Sequence, residues 1–128
     1  MPQSIDVPGL SHKAPIPVGS RVGHVLCSSA LSGKDPATGQ LGSTPAAQVQ
    51  LVFDNLRRFL EAGGATLNHV VKLAIYIKDD TVREQINPHW LACWPDAAHR
   101  PARHITVHDL QHGMAIQIEA LAVITQAP

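Results

Sequence analysis

Hydrophobic positions along this chain change their period several times, and each change marks an element. Between Pro45 and Ala62, Val49, Val52, Phe53, Leu56, Phe59 and Leu60 recur at three- and four-residue steps, the stripe by which a helix faces a core. Thr44 stands where a side-chain cap is wanted, Pro45 suits the first turn, and Gly63-Gly64 supplies a stop. Val70 to Lys78 is rich in β-branched residues and predicts a strand. Asp79-Asp80-Thr81 predicts the opening of a second helix, running to about Trp94 and interrupted in its first part by Asn87-Pro88. His104 to Val107 and Met114 to Ile124 read as two further strands, joined through Asp109–Gly113.

The N-terminal part is less regular. Residues 1–20 are rich in Pro and Gly and read as loop with one short strand. Arg21 to Ser29 is apolar and bounded by glycine and serine, which predicts a buried strand. Asp35-Pro36-Ala37-Thr38-Gly39 is a turn in which Gly39 can supply positive φ. The element order begins β or ββ and continues α, β, α, β, β, without linker or repeat, and predicts a single α+β domain over residues 1–128 with both helices on one sheet face. Two helices cannot cover both faces of a sheet, so association through the open face is expected.

Composition narrows the function classes. The 128 residues carry ten Lys+Arg against ten Asp+Glu, so nothing here tracks a phosphate backbone, and no nucleic-acid partner is expected. No run approaches the ~18 apolar residues of a membrane span, so no membrane partner is expected either. The start, Met-Pro-Gln-Ser-Ile-Asp, lacks the basic and apolar regions of a signal peptide, which makes the cytoplasm the expected compartment. Cys27 and Cys93 stand far apart and read as inert thiols in a reducing compartment, Cys27 buried in its strand. Eight histidines are scattered along the chain. His104 and His108 share a strand parity but lie some ~13 Å apart in extended chain, too far to share one metal. No metal and no cofactor are expected. Trp90 and Trp94, one helical turn apart, read as core or interface packing.

Two residues carry candidate chemistry. Arg103 follows Pro101-Ala102 at the mouth of a short β-branched run, and its guanidinium offers a rigid fork that fits a carboxylate through two bonds. A surface or subunit salt bridge is the structural alternative. Strand alternation over Met114–Val123 puts Gln117 and Glu119 on one face and Ile116, Ile118 and Ala120 on the other. That polar face suits a cleft or plain solvent equally.

Several blocks, in one order, resemble the RidA/YjgF family of reactive-intermediate (enamine/imine) deaminases, also known under the older names L-PSP endoribonuclease and translation inhibitor. Asp35-Pro36-Ala37-Thr38-Gly39, Ala47-Gln48, Asn55-Leu56, Leu60-Glu61-Ala62-Gly63, Val70-Val71-Lys72, Ile77-Lys78-Asp79, Pro101-Ala102-Arg103 and Ile118-Glu119-Ala120 carry it, and it spans about Val18 to Val123. The resemblance implies a mixed sheet packed on two helices, similar to trimeric chorismate mutase, and a homotrimer with sites in the clefts between subunits.

It further implies hydrolytic deamination of small 2-enamino or 2-imino acids, of the 2-aminoacrylate kind, to 2-keto acids and ammonia. Arg103 then grips the carboxylate of the small metabolite, Glu119 handles the water, and Asn87 and Ser29 line the cleft. This chain departs from the family pattern at the cleft: Ile16 replaces the tyrosine after Pro15, Ala30-Leu31 replace a Gly-Gln, His104 replaces a serine, and Ile105 stands where some members carry cysteine. The alternative is a trimeric module that binds keto acids or related metabolites without turning them over. A ribonuclease reading is disfavoured by the zero net charge.

Overall fold

The computed structural model describes residues 1–125. Seven strands, β1 (Gln3–Ile5), β2 (Gly19–Val22), β3 (Val25–Ser28), β4 (Leu31–Ser32), β5 (Val70–Ile77), β6 (Ala102–Val107) and β7 (Ile116–Val123), form one sheet with two helices, α1 (Pro45–Ala62) and α2 (Arg83–Cys93). The spatial order is β1-β2-β3-β7-β5-β6, with β4 continuing the pairing of β3 along β7. All pairs are antiparallel except β5 with β6, which α2 connects in a crossover.

α1 has the predicted bounds, and its threonine cap closes it: Thr44 Oγ1 accepts from the amide of Ala47. Its apolar stripe is sealed, with Val49, Val52, Phe53, Leu56 and Phe59 at 0% exposure. Each such side chain contributes roughly 1.5–3 kcal/mol of transfer free energy. They meet Leu73, Ile75, Ile77, Ile116 and Ile118 from β5 and β7 in one core, which also takes Ile86 and Trp90 of α2. Both helices therefore lie on one sheet face. On the other face stand Val25, Cys27, Lys72, Ala74, Tyr76, Gln117, Glu119 and Leu121, none of them fully buried.

Two buried polar side chains tie α1 to the loops. Gln48 Nε2 donates to the carbonyls of Gly42 and Gly113, each at 3.1 Å, and its Oε1 accepts from the Ala115 amide at 2.7 Å. Asn55 Nδ2 donates to the carbonyls of Ser32 and Lys34 at 2.9 and 2.8 Å.

Three expectations change. The run Arg21 to Ser29 is a hairpin rather than one buried strand. Gly23, at φ 56°, begins a two-residue loop between the paired Val22 and Val25, where glycine is favoured as first central residue. Cys27 is exposed, because β3 has only its Leu26 side facing the core. Pro88 does not interrupt the second helix. A 3-10 turn at Asp80–Val82 precedes α2, and Pro88, which leaves the Glu84 carbonyl without its helical donor, sits with Glu84 on the exposed side of the helix.

Candidate active site

Pro101 delivers the chain into β6, and parallel pairing places Arg103 beside Leu73 and Ile105 beside Ile75. Leu73 and Ile75 point into the core, so Arg103 and Ile105 share the helix side of the sheet and His104 turns to the open side. α2 passes over this edge. One guanidinium nitrogen, Arg103 Nη1, donates to Asn87 Oδ1 at 2.9 Å. The guanidinium carbon lies 4.8 Å from the centre of the Trp90 ring, within cation–π range. Partial burial, then the neighbouring Arg83 charge, push Arg103 below the ordinary arginine value; arginine nevertheless stays cationic in proteins. Among the described residues no carboxylate pairs with Arg103.

Trp90 is the contributor that the sequence pattern missed. Helical spacing marked it as packing, and it is indeed 7% exposed. Its ring also forms a floor for Arg103, and Asn87, three residues earlier on α2, takes the guanidinium edge. Only the pairing of β6 against β5 beneath α2 brings the three together.

A second group forms elsewhere. Leu121 pairs with Cys27 and Ile118 with Leu31, so the chain from Ser28 to Ala30 bulges opposite Glu119 and Ala120. Ser28 Oγ accepts from the Ala120 amide at 2.9 Å. Ser29 Oγ donates to the carbonyl of Pro17, the residue after Ile16, at 2.8 Å. Ile16 is 50% exposed. Ala30 lines a small cavity of about 70 Å³ with His12, Lys34 and Asn55. Glu119 lies on the open face in a shallow depression of about 310 Å³, with Cys27, Lys72 and Tyr76.

The candidate residues thus fall into two groups within one copy. Arg103, Asn87 and Ile105 gather at the β6 edge on the helix side, whereas Glu119, Ser29, Ala30 and Ile16 gather around β7 and the β3–β4 bulge. β5 separates β6 from β7, a gap of two strand spacings or about 9–10 Å, and Arg103 and Glu119 project from opposite faces. One small acid cannot touch both in a single copy. A larger concavity, about 600 Å³ and lined by Leu67, Cys93, Trp94, His99 and Arg100, contains none of these residues. Chemistry outweighs size here. Among the described residues, no three His, Cys, Asp or Glu side chains gather as a metal site, and no helix is long and apolar enough to cross a membrane.

Comparison with known proteins follows the same span. The model of the family described as endoribonuclease L-PSP matches residues 17–124. The chain belongs to this family, known also as RidA/YjgF. A RutC family protein of Aquifex aeolicus is 32% identical over 117 residues, covering 87% of this chain and 94% of that protein. The 2-iminobutanoate/2-iminopropanoate deaminase of Escherichia coli K12 is 30% identical over 107 residues, covering 82% of this chain and 84% of that enzyme. The crystal structure of RidA from Psychrobacter sp. PAMC 21119 superposes with a TM-score of 0.87 at 27% identity, over 95% of this chain and 99% of that one. The sheet on two helices is accordingly the chorismate-mutase-like α+β fold of the family.

Proposed function

We propose that this protein hydrolyses small 2-imino and 2-enamino acids to 2-keto acids and ammonia, in a site completed by two copies of the chain. The carrying observation is Arg103: a partly desolvated guanidinium, held on an aromatic face and by one amide, with no carboxylate among the described residues to neutralise it. Such a group is prepared for an external carboxylate. The deaminase name of the E. coli relative supports the reaction class.

In this reading Arg103 of one copy binds the carboxylate through its free edge. Glu119 of a neighbouring copy takes a proton from water as the oxygen attacks the imine carbon, then returns it to the nitrogen of the resulting carbinolamine. In the collapse of that intermediate the hydroxyl proton passes to the departing nitrogen, which leaves as ammonia, and the carbonyl of the keto acid forms. Holding both partners supplies effective molarity, and proton management supplies roughly 10²–10⁴-fold more. The steps call for no cofactor. Ser29, Ala30 and Ile16 line the neighbour's wall, and Ile105 lines the near one. The assembly is a cyclic homotrimer working in the cytoplasm, with the open sheet face as interface.

The test is ammonia release from 2-aminoacrylate generated in situ. Arg103→Ala should lose about 2–5 kcal/mol of transition-state stabilisation. Arg103→Lys should not restore it, because an ammonium cannot reproduce the two-bond fork. Full activity in Arg103→Ala ends the deaminase reading. The second reading, a keto-acid binding module, is favoured by Ile16, which offers no hydroxyl at the wall; keto-acid binding without ammonia release would establish it.

A further inference from the structure

We infer that Trp90 is a positioning residue, fixing the plane of the Arg103 guanidinium so that one edge is presented to a carboxylate before any ligand arrives. The inference rests on the reading of Arg103 as carboxylate anchor. It gives a specific task to Trp90, which the helical spacing alone marks as packing.

The role of Trp90 is one of constraint. A free arginine side chain samples many rotamers, and each must be lost when a ligand is bound in two-bond fashion. Here two contacts remove that freedom in advance. Asn87 Oδ1 accepts from Nη1 at 2.9 Å and fixes the guanidinium within its plane. Trp90, with its ring centre 4.8 Å from the guanidinium carbon, fixes the plane itself. With Nη1 engaged, the edge formed by Nε and Nη2 has no acceptor among the described residues.

The platform is itself held. The Trp94 ring packs at 57° on Trp90 with centres 4.8 Å apart, and Trp94 Nε1 donates to the Leu67 carbonyl at 2.9 Å. Leu67 lies just before β5, the strand on which β6 is registered. The chain of contacts from Leu67 through Trp94 and Trp90 to Arg103 therefore starts at the turn leading into β5 and ends on the neighbouring strand β6. A packing residue would need only volume at position 90. A platform needs a flat π face, and the attraction for a cation falls in the order Trp, Tyr, Phe, then aliphatic.

The experiment measures binding rather than turnover. Pyruvate serves as the carboxylate probe, by calorimetry, on oligomeric wild type, Arg103→Ala, and Trp90→Tyr, Trp90→Phe and Trp90→Met. A graded weakening is expected, small for Tyr, about 2–4-fold for Phe and about tenfold or more for Met. Met and Phe are near in bulk, so a Met variant that folds but binds like Phe would show that volume is what counts and overturn the proposal. If Met fails to fold, the Tyr and Phe variants still decide, since wild-type affinity in both removes the role of the face.

Fluorescence gives an independent reading. Trp90 and Trp94 are the only tryptophans, so Trp94→Phe leaves Trp90 as sole reporter beneath the guanidinium. Pyruvate should change its emission, and Arg103→Ala should abolish the change; emission indifferent to bound pyruvate counts against the platform. Unchanged pyruvate affinity in Arg103→Ala would overturn both the anchor and the platform. Lost affinity there, with full affinity across the Trp90 series, would overturn the platform alone.

Discussion

Inactive variants that rescue each other are the sharpest consequence of the two-group geometry. Arg103 and Glu119 stand on strands separated by β5 and point from opposite faces. Two strand spacings already make about 9–10 Å, and divergence of the side chains adds several more, against the ~3 Å that hydrogen bonding requires. If both act on one substrate, they come from different copies. Arg103→Ala and Glu119→Gln should each be inactive alone, the latter losing roughly 10²–10⁴-fold in turnover while still binding pyruvate. Unfolding and refolding an equal mixture distributes the two chains at random around each ring. A competent site needs a Glu119→Gln chain to supply Arg103 and an Arg103→Ala neighbour to supply Glu119. In any cyclic assembly that combination occurs at about one interface in four. The mixture should therefore recover about a quarter of wild-type activity per chain, measured as ammonia release, with mixed oligomers verified by native mass spectrometry. Recovery no greater than the sum of the separate variants, in demonstrably mixed oligomers, would refute the shared site.

Three further outcomes follow from particular contacts. Gln48→Leu should lower unfolding stability by about 2–4 kcal/mol in denaturant titration, because it strands the buried Ala115 amide and removes donors from the Gly42 and Gly113 carbonyls. Cys27, exposed on the open sheet face of one copy, should react with a thiol reagent slowly in the native oligomer and fast after dissociation, with equal rates arguing against coverage of that face; Cys93, raised by burial, should stay slow in both folded states. Asp79 is held below its ordinary value by hydrogen bonds from Thr81. A depressed carboxylate stabilises the fold above its unfolded value and loses that contribution as pH falls through the folded one, so acid should destabilise the native chain, and Asp79→Asn should show a shallower loss below about pH 4.

What the sequence disclosed depended on whether the deciding contacts were local. α1 was legible because its stripe, threonine cap and glycine stop all lie within one segment. The alternation of β7 was legible for the same reason, and Glu119 was correctly set on the polar face. The hairpin at Gly23-His24 was hidden because Val22 and Val25, both exposed, look like strand interior when only hydrophobicity is read. Cys27 was misplaced by that same apolar run. Strand order was the deeper obstacle. Insertion of β7 between β3 and β5 sets Ser29 and Ala30 against Glu119 while leaving Arg103 two strands away, and no local pattern encodes this. Trp90 escaped as a platform because a buried tryptophan has one helical signature whatever lies on its face.

The same topology gives a chain with a complete core a physical reason to associate. β6 ends the sheet as an exposed edge whose residues are exposed or half-buried, and free edges are prone to unwanted pairing. Among the described residues no helix lies above the face carrying Val25, Leu121 and Tyr76. Packing the edge of one copy over the open face of the next would cover both liabilities at once. In the proposed assembly that same contact would carry Arg103, which lies on the edge, toward Glu119, which lies on the face. Stability and chemistry would then share one interface, and the strength of association would set the fraction of competent sites. Activity per chain should consequently fall on dilution in step with dissociation, whereas a site contained in one copy would be indifferent to it.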